Sequence, residues 1–308
     1  MIRNSVLVLF LILALFPLEK LISQTTDAVV CEKHLKAIIE TDGYRNYKNI
    51  NTLNTVSEYI FNCFKENADT VYYQDYQVNG NKYRNVVCVF NSKATRTIVI
   101  GAHYDVCGNQ DGADDNASGV VALLELSRLI KGKSMNYRIE IVAYSLEEPP
   151  FFKTQDMGSY IHAKSLYENK RDVYGMICFD MIGYFSEVKG SQTFPLPLLS
   201  LFYGSKGNFI TIVNKYGKGK FARRFTSSYK RNSVIRAKKF TGPRFIQGID
   251  FSDHLNYWNY GYSAVFITNT AFYRNKSYHT SADKAETLNY VKMAQVIDGV
   301  YKTIIKLK

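Results

Sequence analysis

The sequence predicts an α/β fold of three layers, α/β/α, with a central mixed, mostly parallel sheet. Three observations support this prediction. Strand-like and helix-like patterns alternate along most of the chain, as in sheets covered by helices on both faces. Several strand patterns are continuous apolar runs, such as Thr97-Ile98-Val99-Ile100, which is typical of strands buried on both sides. No linker-like stretch divides residues 25–308, so we expect one domain there.

The elements follow one another in a regular order. A helix is predicted over residues 51–67, where apolar residues recur at helical spacing. Strands 71–78 and 83–90 then pair through an Asn79-Gly80-Asn81 turn. The later elements are strand 96–102, helix 116–131 capped by Asp115 or Asn116, strand 137–146, helix 157–167, strand 174–179, helix 252–260, strand 264–268 and helix 286–305.

Residues 1–24 are predicted to be a signal peptide or an N-terminal anchor. Arg3 precedes an unbroken apolar run over residues 6–16. This run is shorter than the roughly 20 residues that a bilayer span needs, and it suits an export signal. Ser23-Gln24 is the best cleavage candidate. We expect a protein that is periplasmic, extracellular or tethered outside the cytoplasm, with no other membrane span.

The net charge of +12 comes from one segment, residues 188–249. This basic segment holds 13 of the 39 Lys and Arg residues and no Asp or Glu, whereas the rest of the chain is close to neutral. It could face anionic lipid, polysaccharide or nucleic acid. A solvated basic surface, or a counter-charge near an acidic site, is the favoured interpretation. No nucleic-acid-binding motif accompanies the segment, so we expect no nucleic-acid partner.

Five cysteines are present. They form no Cys-X-X-Cys pair, so a cysteine zinc site is not expected. Cys88 and Cys178 lie in apolar strand patterns and are predicted to be core residues. Cys31 and Cys63 could pair in an oxidising compartment. Cys107 lies close in sequence to the candidate site, and the odd count leaves at least one thiol free or bonded to another chain.

Acidic residues and histidines follow the predicted strands at the points where the strands end. They occur in five fragments, which are His103-Tyr104-Asp105, residues 112–119, Glu147-Glu148, Asp180 and Tyr278-His279. The carboxyl ends of parallel strands meet at one edge of a sheet, so these groups can converge. Each fragment alone is weak, because Glu-Glu pairs are usually solvated and a single His is usually structural. Five fragments at successive strand ends are hard to attribute to coincidence.

This set of side chains suits a pair of zinc ions. Carboxylates gathered in one concavity repel each other unless cations are present. Calcium and magnesium prefer all-oxygen sites, whereas zinc takes both imidazole nitrogen and carboxylate oxygen. Cobalt or manganese could substitute in vitro. Asp105, two residues after His103 on an extended segment, can hydrogen-bond the far nitrogen of that histidine and fix its tautomer.

The fragments together resemble the co-catalytic zinc aminopeptidases of metallopeptidase family twenty-eight, whose clan includes glutaminyl cyclases and transferrin-receptor-like proteins. The resemblance covers residues 96–183 and 248–300. It implies a zinc-exopeptidase fold of the phosphorylase/hydrolase-like type. The motifs that carry it are His103-Tyr104-Asp105, residues 112–119, residues 147–152, Asp180-Met181-Ile182-Gly183, Ser252-Asp253-His254 and residues 278–283.

The resemblance implies two Zn²⁺ per chain and a role for each ligand. His103 and Asp180 would bind one ion, Glu148 and His279 the other, and Asp115 would bridge them. Glu147 would be the general base, and Asp105 would orient His103.

Other residues near these motifs have two open interpretations. Asp253 and His254 could support the site, or be a helix cap and a surface residue. Phe151, Phe152, Phe272 and Tyr273, which flank the motifs, could line an apolar substrate pocket with Tyr278, or belong to the core.

The predicted reaction is zinc-dependent removal of N-terminal residues from peptides. A carboxypeptidase or dipeptidase of the same family is an alternative. A second is a single-zinc glutaminyl cyclase, against which stand residues 116–119 and Tyr278, where those cyclases usually have Trp. A third is a binding protein that retains the site by descent, against which stands the intact ligand set. The oligomeric state, the preferred residue and the natural substrate stay open.

Overall fold

The computed structural model describes residues 26–217 and 219–307, so the predicted signal segment 1–24 lies outside the described residues. Eight strands form one sheet. In chain order they are β1 (Thr70–Val78), β2 (Asn81–Phe90), β3 (Arg96–His103), β4 (Arg138–Tyr144), β5 (Asp172–Phe179), β6 (Ile210–Lys215), β7 (Ala237–Gly242) and β8 (Ala264–Thr268).

The sheet is mixed, with the spatial order β1-β2-β4-β3-β5-β8-β6-β7. Its centre is parallel, because β3 pairs in parallel with both β4 and β5, and β5 with β8. Antiparallel pairing joins β2 to β1 and to β4 on one side, and β6 to β8 on the other. The predicted mixed sheet is confirmed. The carboxyl ends of β4, β3, β5 and β8 therefore lie along one edge.

Helices cover both faces of the sheet. The helices are α1 (Ala28–Ile39), α2 (Ile50–Lys65), α3 (Ser118–Ile130), α4 (Gly158–Glu168), α5 (Leu199–Tyr203), α6 (Gly219–Asn232), α7 (His254–Asn259) and α8 (Tyr290–Ile304). Apolar residues of α1, α2, α3, α6 and α8 form one core with the sheet. Residues of α4 and α7, among them Ala163 and Trp258, form a second core on the other face. This is the predicted three-layer arrangement.

The basic segment differs from its prediction. The sequence suggested helices and a loop over residues 188–249, but the segment also contributes β6 and β7 to the sheet. Among the strands that the structure describes, β7 pairs with β6 alone, and it carries Lys238 and Lys239. Lysines on a short edge strand hinder pairing with other chains, and they also conceal the alternating pattern from which a strand is recognised. Helix α1 was not predicted either.

Helix α3 begins at Ser118, two residues after the predicted start. A short π-helical segment, Ala113–Ala117, precedes it, and within that segment Asp115 and Asn116 have non-helical backbone angles. The Gly119 N–H donates to Oδ1 of Asn116 at 3.1 Å, so Asn116 still satisfies an N–H group of the first turn. The Asp115 side chain does not cap α3, so its carboxylate is available to the candidate site.

The structure also bears on the predictions about membrane spans and cysteines. Across residues 26–217 and 219–307, no helix combines the length and the apolar character needed to cross a bilayer. Cys31 and Cys63, which could have formed a disulfide, are both free thiols. Cys88 and Cys178 are buried in the core, as predicted.

Candidate active site

The five sequence fragments converge at the edge formed by the carboxyl ends of the central strands. His103 is the last residue of β3, and Asp180 directly follows β5. Glu147 and Glu148 lie in the loop after β4, and His279 in the loop after β8. Asp115 comes from the π-helical segment before α3. The five fragments are therefore positioned by five different parts of the scaffold.

One half of the site surrounds the His103 imidazole. Its Nε2 lies 3.5 Å from Oδ1 of Asp115 and 3.6 Å from Oδ2 of Asp180. All three residues are at most 7% exposed, and His103 Nε2 has no hydrogen-bond partner among the described residues. These three residues could together hold a metal ion.

The other half surrounds His279. Its Nε2 lies 3.2 Å from Oδ2 of Asp115 and 3.1 Å from Oε2 of Glu148. Asp115 thus turns one carboxylate oxygen toward each histidine. Oδ2 of Asp115 and Oε1 of Glu148 are buried and have no hydrogen-bond partner among the described residues. A carboxylate so placed is suited to bridge two cations.

These spacings fit zinc ligands. Two ligand atoms that each lie about 2.0–2.2 Å from a tetrahedral ion are about 3.3–3.6 Å apart. The four distances from the two imidazoles to the carboxylates range from 3.1 to 3.6 Å. The contacts of His103 are too long for strong hydrogen bonds, and its Nε2 has no other partner to satisfy it. The donor set and its orphaned atoms therefore fit a pair of metal ions.

Asp105 organises both sides of the site. Its carbonyl oxygen lies 3.2 Å from His103 Nδ1, which can donate to it and leave the Nε2 lone pair free for a metal. Its carboxylate accepts the N–H groups of Glu147 and Glu148, each at 3.1 Å. The sequence analysis predicted the contact of Asp105 with His103 but not its contacts with the Glu147 and Glu148 N–H groups. It assigned the His103 contact to the Asp105 carboxylate, which lies 3.6 Å from His103 Nδ1.

A family model described as "Peptidase family M28" matches residues 85–304, more than two thirds of the chain. The chain belongs to peptidase family M28. The family resemblance drawn from the sequence fragments is therefore confirmed, and the matched range contains every residue of both half-sites.

Two M28 relatives differ in how much of their length the chain covers. Escherichia coli "Uncharacterized protein YfbL" is 41% identical over 285 residues, covering 90% of this chain and 87% of that protein. "Leucine aminopeptidase 1" of Metarhizium robertsii is 29% identical over 228 residues, or 70% of this chain. That match covers 52% of the fungal protein, so the chain spans about half the length of this relative.

Solved structures place the same fold in two kinds of enzyme. The Legionella pneumophila LapA aminopeptidase gives a TM-score of 0.70 at 19% identity, covering 92% of this chain and 73% of that one. Bacteroides thetaiotaomicron glutaminyl cyclase gives 0.67 at 16% identity, covering 92% and 99%. At these identities the likeness establishes the fold alone, and it does not separate an M28 peptidase from a cyclase.

The crowding of buried carboxyl groups in this M28 site favours the binding of cations. Burial raises the pKa of Glu148 to about 7, assisted by the charge of Asp115, and burial also raises the pKa of Glu147 well above its usual range. Burial opposes the charged form of His279, but its carboxylate neighbours raise its pKa to about 10. Without metal, the site must therefore hold protons to offset its crowded negative charge. Metal ions would displace those protons.

A layer of polar groups that the sequence analysis missed holds the Asp115 segment in place. Asp283 accepts the N–H groups of Asp114 and Asp115 at 3.0–3.1 Å. Asp114 in turn accepts from the side-chain amides of Asn269 and Asn275 at 2.7 and 2.9 Å. Asp114 and Asp283 lie within the motifs at residues 112–119 and 278–283, but the sequence analysis gave neither residue a role.

Arg45 is the second missed feature. Its guanidinium is 2% exposed and donates to the backbone carbonyls of Tyr104, Asp111 and Gly112. It thereby fixes the loop between β3 and the Asp115 segment. Arg45 lies in a polar stretch before α2 and outside the matched range, and no pattern around it indicated burial.

The structure corrects part of the prediction for Asp253 and His254. His254 is buried rather than on the surface, with Nε2 donating to the Ile249 carbonyl at 2.7 Å and its ring stacked on Phe266. Asp253 occupies the N-cap position of α7 but makes no capping bond with its side chain. It is fully buried, and its charge contributes to the raised pKa of Glu147.

A cavity of about 230 Å³ opens beside the two half-sites, and its wall is mostly apolar. Phe152, Phe272, Tyr273 and Tyr278, for which pocket and core were both open, line this cavity. The wall also includes residues of the basic segment that the sequence analysis did not identify, namely Phe194, Leu199, Tyr203, Val213, Phe240, Ile246 and Ile249.

For Phe151 the structure supports the core interpretation rather than the pocket one. Its ring packs in the core against Tyr47, with ring centroids 5.4 Å apart, and only 7% of it is exposed. Consecutive residues in this turn point in different directions, so Phe152 reaches the cavity and Phe151 does not.

Replacing Asp283 with Asn is expected to weaken zinc binding about 10–100-fold, as is typical when a group that supports metal ligands is altered. The Asn amide would turn a donor toward N–H groups that need acceptors, at a cost of about 1–3 kcal/mol in unfolding free energy. A competitive chelator titration and thermal melts would measure both effects. Asp111→Asn, in the loop that precedes the Asp115 segment and paired with the partly exposed Lys284, is the matched control. Equal zinc affinity in both variants would contradict this role of Asp283.

Proposed function

We propose that this protein is a zinc-dependent aminopeptidase that uses two zinc ions. The observation that carries the proposal is the Asp115 carboxylate, which faces His103 with one oxygen and His279 with the other. His103 and Asp180 would hold one ion, and Glu148 and His279 the second. When bound, the pair would lower the pKa of the attacking water and polarise the scissile carbonyl.

Glu147 is the proposed general base. Its Oε2 lies 3.8 Å from His103 Nε2, and its side chain lines the cavity. It is thus placed to take a proton from the attacking water and to return it to the departing amine nitrogen. Burial favours the protonated form of Glu147, which helps the return step. Asp105 accepts the Glu147 backbone N–H and so fixes the position of Glu147 relative to His103.

Substrates are proposed to be peptides with an apolar N-terminal residue. Among the described residues that line the cavity, the charged or titratable groups beside the tyrosines are those of the site itself, Asp115, Glu147, Glu148, Asp180 and His279. These carboxylates would attract a free α-amino group, and the aromatic wall would accept the side chain. No nucleic-acid partner is proposed. The sequence of residues 1–24 supports export.

The test is zinc content measured together with hydrolysis of a panel of aminoacyl-arylamides, with and without a chelator. We expect about two zinc ions per chain, chelator-sensitive release, and a preference for apolar residues. One zinc with cyclisation of Gln-peptides would replace the proposal with a glutaminyl cyclase. Cleavage restricted to dipeptides or to C-terminal residues would indicate the other exopeptidase activities of the family.

Phe272→Ala is expected to lower kcat/KM for Leu- and Phe-arylamides about tenfold or more, with a smaller effect on Ala-arylamide. Phe272 packs beside Tyr278 and Phe251 at the cavity wall, so the truncation removes surface that only a large side chain contacts. Phe151→Leu, a core change of similar chemistry, is the control and should leave selectivity unchanged. An equal loss on all three substrates would mean that Phe272 does not line the specificity pocket.

A further inference from the structure

Cys107 lies at the site, and the proposed function gives it no role. It lies in the loop after β3, and its Sγ, a Glu148 carboxylate oxygen and a His279 ring nitrogen all lie within 4.8 Å of one another. Two ligands of one tetrahedral zinc are about 3.5 Å apart, so these three atoms could close on one ion with side-chain shifts of about 1 Å.

The backbone on both sides of Cys107 is anchored. The Val106 N–H donates to the Arg45 carbonyl at 3.2 Å, and the Asn46 side-chain amide donates to the Gly108 carbonyl at 2.8 Å. The thiol is therefore held beside Glu148 and His279 by contacts on either side of it. Such anchoring is what a ligand position needs.

The partners of the thiol also indicate a cation. Oε1 of Glu148, which is 4% exposed, has no hydrogen-bond partner among the described residues. The charges that act on the thiol are negative, from Glu148, Asp115, Asp105 and Glu147. None of these groups would stabilise a thiolate, whereas a zinc ion bound by both Sγ and the Glu148 carboxylate would offset the charge of each.

We propose that Cys107 is a protein ligand of the metal ion that Glu148 and His279 hold. This inference rests on the proposed two-metal function and extends it. With Asp115 as the bridge, the ion at Glu148 and His279 gains four protein ligands, Cys107, Glu148, His279 and Asp115. The ion at His103 keeps three, namely His103, Asp180 and Asp115.

The two ions would then differ in coordination. With four protein ligands, the ion at Glu148 and His279 would have to become five-coordinate to share the attacking water, whereas three protein ligands would leave a position open for that water on the other ion. The open position falls on the His103 side, where Glu147 also lies. A thiolate further favours zinc over magnesium or manganese at the site with four protein ligands.

The test is cobalt substitution of the full chain followed by absorption spectroscopy and metal analysis. Thiolate ligation gives a near-ultraviolet charge-transfer band that nitrogen and oxygen ligands do not give. We expect this band in the wild type and in Cys63→Ser, a control whose partly exposed thiol lies on α2. We expect its loss in Cys107→Ser, together with at least about tenfold weaker cobalt binding at one of two sites. Cys107→Ala serves as a second variant if Cys107→Ser folds poorly.

The possible outcomes separate this inference from the proposed function. Two bound cobalt ions without the band, or a band that persists in Cys107→Ser, would overturn the assignment of Cys107 and leave the two-metal site standing. No cobalt bound by the wild type would overturn both. A band that depends on Cys107 in a protein that cleaves no peptide would support the ligand and overturn the aminopeptidase.

Discussion

Replacing Glu147 with Gln is expected to lower turnover by about 10³-fold while leaving the zinc content unchanged. The amide has the same shape as the carboxyl group but cannot accept the proton of the attacking water. The loss should appear in kcat rather than in KM, because the role proposed for Glu147 is in proton transfer and not in substrate binding. Steady-state kinetics on a Leu-arylamide, with metal analysis of the same preparation, would measure both quantities.

Glu148→Gln is the matched control for that experiment, since it alters the next residue of the same loop. Glu148 lies 3.1 Å from His279 Nε2, so this variant should lose activity together with metal. Turnover of Glu147→Gln within a few-fold of the wild type would remove Glu147 as the general base. Loss of zinc in Glu147→Gln would instead place Glu147 among the ligands.

Removing the His279 imidazole should have the second large effect. His279→Ala is expected to reduce the zinc content from about two ions per chain to about one and to abolish measurable hydrolysis. The imidazole lies close to both Asp115, the proposed bridge, and Glu148, so its removal takes a strong ligand from the second ion and should weaken binding enough for dialysis to remove that ion. Metal analysis after exhaustive dialysis would test this expectation.

His34→Ala provides the comparison for His279→Ala. His34 lies on α1, where its Nδ1 pairs with the Tyr59 hydroxyl at 2.7 Å, and it belongs to neither half-site. This variant should retain its zinc and its activity. Unchanged zinc content in His279→Ala would remove His279 from the ligand set and with it the case for a second ion.

The parts of the fold that the sequence predicted are those with strong periodic patterns. The predicted strand 264–268 coincides with β8, and the predicted helix 286–305 contains α8 after a short 3-10 turn. β7 was missed because an edge strand is only partly buried and carries lysines, so its alternation is weak. Its pairing with β6 depends on contacts that no local pattern encodes.

The site residues also divide into those that a sequence pattern identified and those that it did not. His103, Asp115, Glu148, Asp180 and His279 were identified because each follows a recognisable strand or motif, and the structure brings all five together. Arg45 could not be identified, because its function depends on carbonyl groups contributed by a loop distant in sequence. Phe151 and Phe152 could not be separated, because the direction of a side chain in an irregular turn depends on the packing of that turn.

The proposed metal donors come from chain positions 103, 115, 148, 180 and 279, and this dispersal would make metal loading a late step in folding. No short stretch of the unfolded chain contains enough of them to hold an ion tightly. Metal binding would therefore stabilise almost only the native state. It would add about 2.7 kcal/mol to the unfolding free energy when free metal is 100-fold above the dissociation constant. Chelation should then lower the melting temperature, and a chain that reaches its compartment unfolded would acquire its metal only there.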